Sequence, residues 1–199
     1  MQSTAVAVDE LAEVVTDVSR HLAIWRCLVD PENHNRFGSL FKKHVDYFAA
    51  TAEAHFQAVI VGTFQLMDSR ADVVSLRTVL NAVRSSHGPL VADIEHRIAG
   101  HQEIFDRLSI IRHKVYAHRD ARACPGLVVA VVDVSPNAID ACVDTLRAAV
   151  NDLYNAFCPG DSPSECYDEA DHRARCATND LLRMLSALSN NALERTRGG

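Results

Sequence analysis

At 199 residues, 48% of them hydrophobic, the chain is long enough for one sizeable core and short for two full domains. Its formal net charge of −6 excludes non-specific coating of nucleic acid over the whole surface, because that affinity comes from many phosphate contacts. Nucleic-acid contact, if the chain makes any, is expected to be local.

The first predicted element is an amphipathic helix from Asp9 to about Val29, with Leu11, Val14, Val15, Val18, Leu22 and Trp25 on a 3.6-residue period. Asp30-Pro31-Glu32-Asn33 ends it. A second, long helix is expected from about Ser39 to Met67. It has no internal proline, and Phe41, Val45, Phe48, Ala52, Phe56, Val59 and Phe64 form its buried side. Ser69 and Asp72 have capping-box spacing, which predicts a shorter helix from there to about Ser86. Gly88-Pro89 then precedes a central helix, Leu90 to about Asp120, with one interior glycine, Gly100, marking a bend.

The run from Leu127 to Val134 has strand composition but no hairpin partner, so an extended connector is expected. Ser135-Pro136 supplies an N-cap and a proline suited to a first helical turn. Ile139, Cys142, Val143, Leu146, Val150, Leu153 and Phe157 define a very regular fifth helix behind it. Ser162-Pro163-Ser164-Glu165 reads as a capping box opening a sixth helix to about Leu188. Residues 189–199 lose periodicity and read as a flexible tail, which leaves 1–188 as a single domain. The fold class is therefore all-α, an antiparallel bundle of about five to six helices.

Candidate chemistry concentrates in one stretch of the central helix. Leu108, Ile111 and Val115 recur at helical spacing, and the next position in that series is His118, an ionisable imidazole continuing a core seam. Arg107, Arg112, Lys114, Arg119 and Arg122 stand around it against one acid, Asp120, so the local sign is opposite to that of the whole chain. A basic, histidine-bearing patch suits a phosphate-bearing ligand. On a regular helix, however, Arg112 and His118 lie about 240° apart, so they share one phosphate only if the helix bends or ends, or if a second subunit contributes.

The stretch Arg112-His113-Lys114-Val115-Tyr116-Ala117-His118-Arg119-Asp120 resembles the Arg-polar-(x)-His signature of HEPN domains (higher eukaryotes and prokaryotes nucleotide-binding). The wording Lys-Val-Tyr-Ala-His-Arg-Asp, preceded by Met67-Asp68-Ser69-Arg70 and Val74-Ser75-Leu76, is similar more narrowly to the AbiU-like branch, named for an abortive phage infection system. The resemblance implies a helical bundle, a homodimer formed through the motif helices and a metal-independent endoribonuclease acting in phage defence or as a toxin. It needs no cofactor and leaves room for an antitoxin partner. By it, Arg112 and His118 are the catalytic pair. His113 fills the polar position after the arginine, and Lys114 and Arg119 are auxiliary binders of RNA or a nucleotide. Tyr116 reads as structural, with its hydroxyl near the cleft. HEPN toxins controlled by nucleotidyl transfer carry a tyrosine two positions after the histidine, where this chain has Asp120.

The chemistry matches those assignments. RNA carries its own nucleophile, the 2′-OH, so cleavage requires a histidine to move a proton and a cation to stabilise charge on phosphorus. The alternative within the same fold is a non-catalytic module that holds a nucleotide, RNA or a protein partner.

Other classes have less support. The opening Met1-Gln2-Ser3-Thr4-Ala5-Val6 lacks the pattern of an export signal, and no run approaches the roughly 18 apolar residues that span a bilayer. The expectation is a soluble, cytoplasmic protein without a membrane role. The six cysteines are scattered, which favours free thiols over a disulfide framework. His172 and Cys176, four apart, could face one ion with Cys158 and Cys166. No paired Cys-x-x-Cys supports zinc there, and no metal site is expected. The remaining histidines read as helix-surface residues. P-loop, dinucleotide-binding and nucleophile-elbow motifs are absent, and no short helix pair carries a concentrated basic recognition face for DNA.

Overall fold

The structure is a computed structural model that describes residues 3–113, 134–158 and 164–197, and the side chains of all of these except 164–166 and 190–197. It is an all-α antiparallel bundle. Among the described residues there are nine helices, more than the sequence pattern resolves, because two of the expected long helices are divided and a short one, Pro31–Arg36, is added.

Helix α1, Thr4–Val29, is the axis of the bundle. Ser3 caps it by accepting a hydrogen bond from the Val6 N–H at 3.3 Å. Its buried stripe, Val8, Leu11, Val15, Val18 and Leu22, follows the predicted period. It stops at Asp30, whose extended backbone suits the residue before Pro31. The Asp30 side chain then caps the next helix, accepting from the Glu32 N–H at 2.9 Å.

The expected single helix from Ser39 to Met67 is two, and a further short helix stands before them, where only the end of the first was expected. Helices α2, Pro31–Arg36, α3, Gly38–Lys43, and α4, Val45–Leu66, meet at Phe37 and His44, whose backbones leave the helical region. Phe37, Leu40, Phe41 and Phe48 form a cluster with Leu28 of α1 and Leu182 of the last helix. The break also turns Val45, expected inside, out to 59% exposure.

Beyond the break, α4 runs antiparallel to α1. Phe48 shares a cluster with Leu28, Phe56 stacks on Trp25 with ring centroids 5.0 Å apart, and Leu66 reaches the cluster of Val8 and Leu11. Gly62 marks their closest approach, since a Cβ there would run into Val18 Cγ2.

Helix α5 is Leu76–Val83, shorter and later than expected. Its capping box is Ser75 with Thr78: the Thr78 N–H donates to Ser75 Oγ at 3.3 Å, and the Ser75 N–H to Thr78 Oγ1 at 2.9 Å. The Ser69–Asp72 spacing has no such role, because the helix begins only at Leu76. The expected central helix divides at Gly100-His101 into α6, Gly88–Ala99, and α7, Gln102–Ile111. The bend at Gly100 lets α6 bury Val91 and Ile94 beside α5, while α7 sends Leu108 and Ile111 toward Val59, Ile60 and Ile139.

Helix α8, Pro136–Phe157, matches its pattern, with Ser135 as N-cap and Pro136 in the first turn. Ile139, Cys142, Val143, Leu146, Val150 and Leu153 are all at most 1% exposed, each large aliphatic contributing about 1.5–3 kcal/mol of burial. Helix α9 runs Ser164–Arg197, past the Leu188 where periodicity fades. It packs along α1, which also lies against α4 and α8. The expected connector at 127–133 and most of the cap before α9 lie outside the described residues.

Candidate functional site

The end of α7 carries the described part of the candidate site. Phe105, Leu108 and Ile111 anchor the helix in the core, which leaves the next residue, Arg112, at the rim. The regular helix stops at Ile111, and Arg112 and His113 lie in a π turn, a feature frequent at functional sites.

Arg112 is half-buried and laid over an aromatic face. Its guanidinium carbon is 5.2 Å from the centroid of Phe64, in the last turns of α4. Stacking of this kind holds the cation by its flat face and leaves its in-plane N–H donors for a ligand. Just beyond Phe64 stands Asp68, which Arg70 occupies. The Arg70 Nη2 donates to Asp68 Oδ2 at 2.9 Å, its Nε to both carboxylate oxygens at 3.1 and 3.2 Å, and its backbone N–H to Oδ1 at 2.9 Å. Those bonds hold the Asp68 carboxyl below the usual range, with a smaller push from the field of Arg112. Arg112 itself has no carboxylate within ion-pair distance among the described residues.

His113 is exposed. Its Nδ1–H donates to the Ser109 carbonyl at 2.8 Å, which leaves Nε2 as the acceptor facing outward. His118, Lys114, Tyr116 and Arg119 lie outside the described residues. What the fold brings together is therefore Arg112 and the stretch Met67-Asp68-Ser69-Arg70, two pieces far apart in sequence that carry one resemblance.

Sequence reasoning missed two features. Phe64 was grouped with the core, but it is the platform for Arg112; a cross-helix stack leaves no periodic mark. His21 and His55, expected on helix surfaces, face each other across α1 and α4 with their Nδ1 atoms 2.7 Å apart. One ring must donate the shared proton to the other, and burial lowers the pKa of both.

Cys142, predicted as a small core residue, is fully buried, and burial pushes its thiol up to about 12. Cys176 Sγ lies 3.5 Å from His172 Nε2. Among the described residues, no three His, Cys, Asp or Glu side chains are grouped to hold a metal ion, and no helix is long and apolar enough to cross a membrane.

A helical bundle with an arginine at the end of its motif-bearing helix is the arrangement of an HEPN domain. A family model described as AbiU2, of HEPN type, matches residues 1–175, and the chain belongs to that family. It is thus an HEPN domain associated with abortive infection. Neither curated proteins nor solved structures yielded a match to the chain.

Proposed function

We propose that the protein is a metal-independent endoribonuclease acting in phage defence or as a toxin, with a composite site where the motif helices of a homodimer meet. The observation that carries this reading is the state of Arg112: held on Phe64, beside an aspartate already taken by Arg70, and without an acid of its own among the described residues. A cation held this way is ready to meet a phosphate.

In the reaction, His118 takes the proton from the 2′-OH, and the oxygen attacks the adjacent phosphorus. Arg112 stabilises the charge that develops on the non-bridging oxygens. The 5′-oxygen leaves with a proton, giving a 2′,3′-cyclic phosphate and a 5′-hydroxyl. Lys114, Arg119 and the outward Nε2 of His113 hold the flanking strand, with Tyr116 near the cleft. DNA, without the 2′-OH, is not cut.

The test is incubation of purified protein with mixed RNA in EDTA, beside Arg112→Ala and His118→Ala variants shown by circular dichroism to be folded. Cleavage by the parent that both variants lose supports the reading. Intact RNA with the parent, or equal cleavage by the variants, refutes it and favours a non-catalytic module that binds a nucleotide or a protein partner.

A further inference from the structure

A second concentration of arginines lies on other elements, away from Arg112. Arg26 of α1, Arg36 of α2, and Arg175 and Arg183 of α9 line one cleft of about 430 Å³, with only Asp30 and Glu32 as acids in the lining. On a chain whose formal charge is −6, four guanidiniums converging from three helices need a reason.

Part of the reason is structural. Arg26 Nε lies 3.3 Å from Asp140 Oδ2, and its Nη2 donates to Asn137 Oδ1 at 3.2 Å. Arg175 holds Asp171 through Nε at 2.7 Å and Nη2 at 3.2 Å. These bonds fix both guanidiniums without exhausting them, since each has five N–H donors.

The other two arginines are not explained this way. Arg36 is exposed, its guanidinium carbon lies 5.3 Å from the centroid of the neighbouring Phe37, and it pairs with no carboxylate among the described residues. Arg183 meets only Asp180, one turn back on its own helix, with both side chains more than half exposed; such a pair contributes little to stability. Neither acid in the lining, Asp30 or Glu32, forms an ion pair with them among the described residues. Asn33 adds order: its amide bridges the Cys27 carbonyl at 2.9 Å and Asn179 Oδ1 at 3.1 Å, and so ties the wall on α2 to the wall on α9.

Two fixed and two available guanidiniums around a walled cleft suit an anion with several oxygens, which planar N–H forks meet in pairs. We propose that this cleft is a phosphate-binding site, taking either the backbone of a nucleic-acid strand or a small polyphosphate. The site does not depend on Arg112 or on cleavage.

The test uses the full chain and two probes at low salt: a fluorescent 2′-O-methyl oligonucleotide, which cannot be cut because its 2′-oxygen is blocked, and inorganic pyrophosphate. Arg36→Ala combined with Arg183→Ala removes the two exposed guanidiniums and leaves the fold unstrained, which circular dichroism verifies. The expected result is at least tenfold weaker binding in the double variant, with the salt slope of oligonucleotide binding shallower by about one to two. The loss caused by Arg36→Ala with Arg183→Ala is expected to be the same size in an Arg112→Ala background, which separates this proposal from the RNase reading. Pyrophosphate that binds the parent and displaces the oligonucleotide assigns a site for free phosphates; oligonucleotide binding without pyrophosphate binding assigns a strand. A parent that binds neither probe, or a double variant that binds both undiminished, overturns the proposal.

Discussion

Arg147 and Arg112 are both largely withdrawn from solvent, yet their surroundings are opposite. Arg147, 18% exposed, is held from three helices: its Nε donates to Ser19 Oγ at 2.8 Å, its Nη1 to Asp144 at 3.0 Å, and its Nη2 lies 3.8 Å from Asp171. Ser19 is fully buried and passes its own proton to the Val15 carbonyl at 2.6 Å. Arg112 has a ring beneath it and, among the described residues, no carboxylate beside it. The difference separates two uses of one side chain. Arg147 has its Nε and Nη1 donors taken by its neighbours and its Nη2 buried at ion-pair distance from Asp171, whereas Arg112 is positioned by its flat face, with no carboxylate beside it among the described residues.

The sharpest way to break that contrast is to truncate each arginine and measure both stability and activity. Arg112→Ala should lower RNA cleavage by about 10²–10³-fold, the cost of removing one donor aimed at developing charge, and leave the urea midpoint nearly unchanged. Arg147→Ala should do the reverse. By leaving the buried Ser19 Oγ without its donor, while Asp171 keeps Arg175, it should destabilise the fold by about 1–3 kcal/mol in urea titrations, with the surviving folded fraction still active.

Smaller effects sharpen the account of the scaffold. Gly62→Ala puts a methyl group into Val18 where α1 and α4 are closest, and should cost about 1–3 kcal/mol by thermal unfolding. The His21–His55 pair should give stability a pH dependence. Burial holds both imidazoles below the ordinary value of 6.5, so the unfolded chain takes up protons first as the pH falls. Stability is full above 6.5 and declines as the pH drops below it. In urea midpoints followed from pH 7.5 to 5, His21→Phe should flatten the decline, and an unchanged slope would remove the pair from the explanation.

Local signals carried much of the fold. Ser135-Pro136 and the stripe from Ile139 to Leu153 define α8 without help from the rest of the molecule, and Gly100 announces the bend between α6 and α7. What local pattern could not show was imposed by distant packing. The backbone leaves the helical region at Phe37 and at His44, the latter with neither proline nor glycine beside it, inside a cluster that Leu28 and Leu182 complete from two other helices. The spacing of Ser69 and Asp72 predicts the cap of the short helix, but the helix begins only at Leu76, and Ser75 caps it with Thr78 in place of an acid. The candidate site divides in the same way. Arg112 was legible from the spacing and resemblance of its own stretch, while the Phe64 platform and the nearby Asp68–Arg70 pair depend on how α4 meets α7.

The most direct measurement is the chemistry of the cut ends. RNA incubated with the protein in EDTA, beside a DNA strand of the same sequence, should yield fragments with 2′,3′-cyclic phosphate and 5′-hydroxyl termini by mass spectrometry, with the DNA intact. Fragments ending in a 3′-hydroxyl, cleavage of the DNA, or RNA left whole would contradict a site in which Arg112 and His118 direct the 2′-OH against its own phosphate.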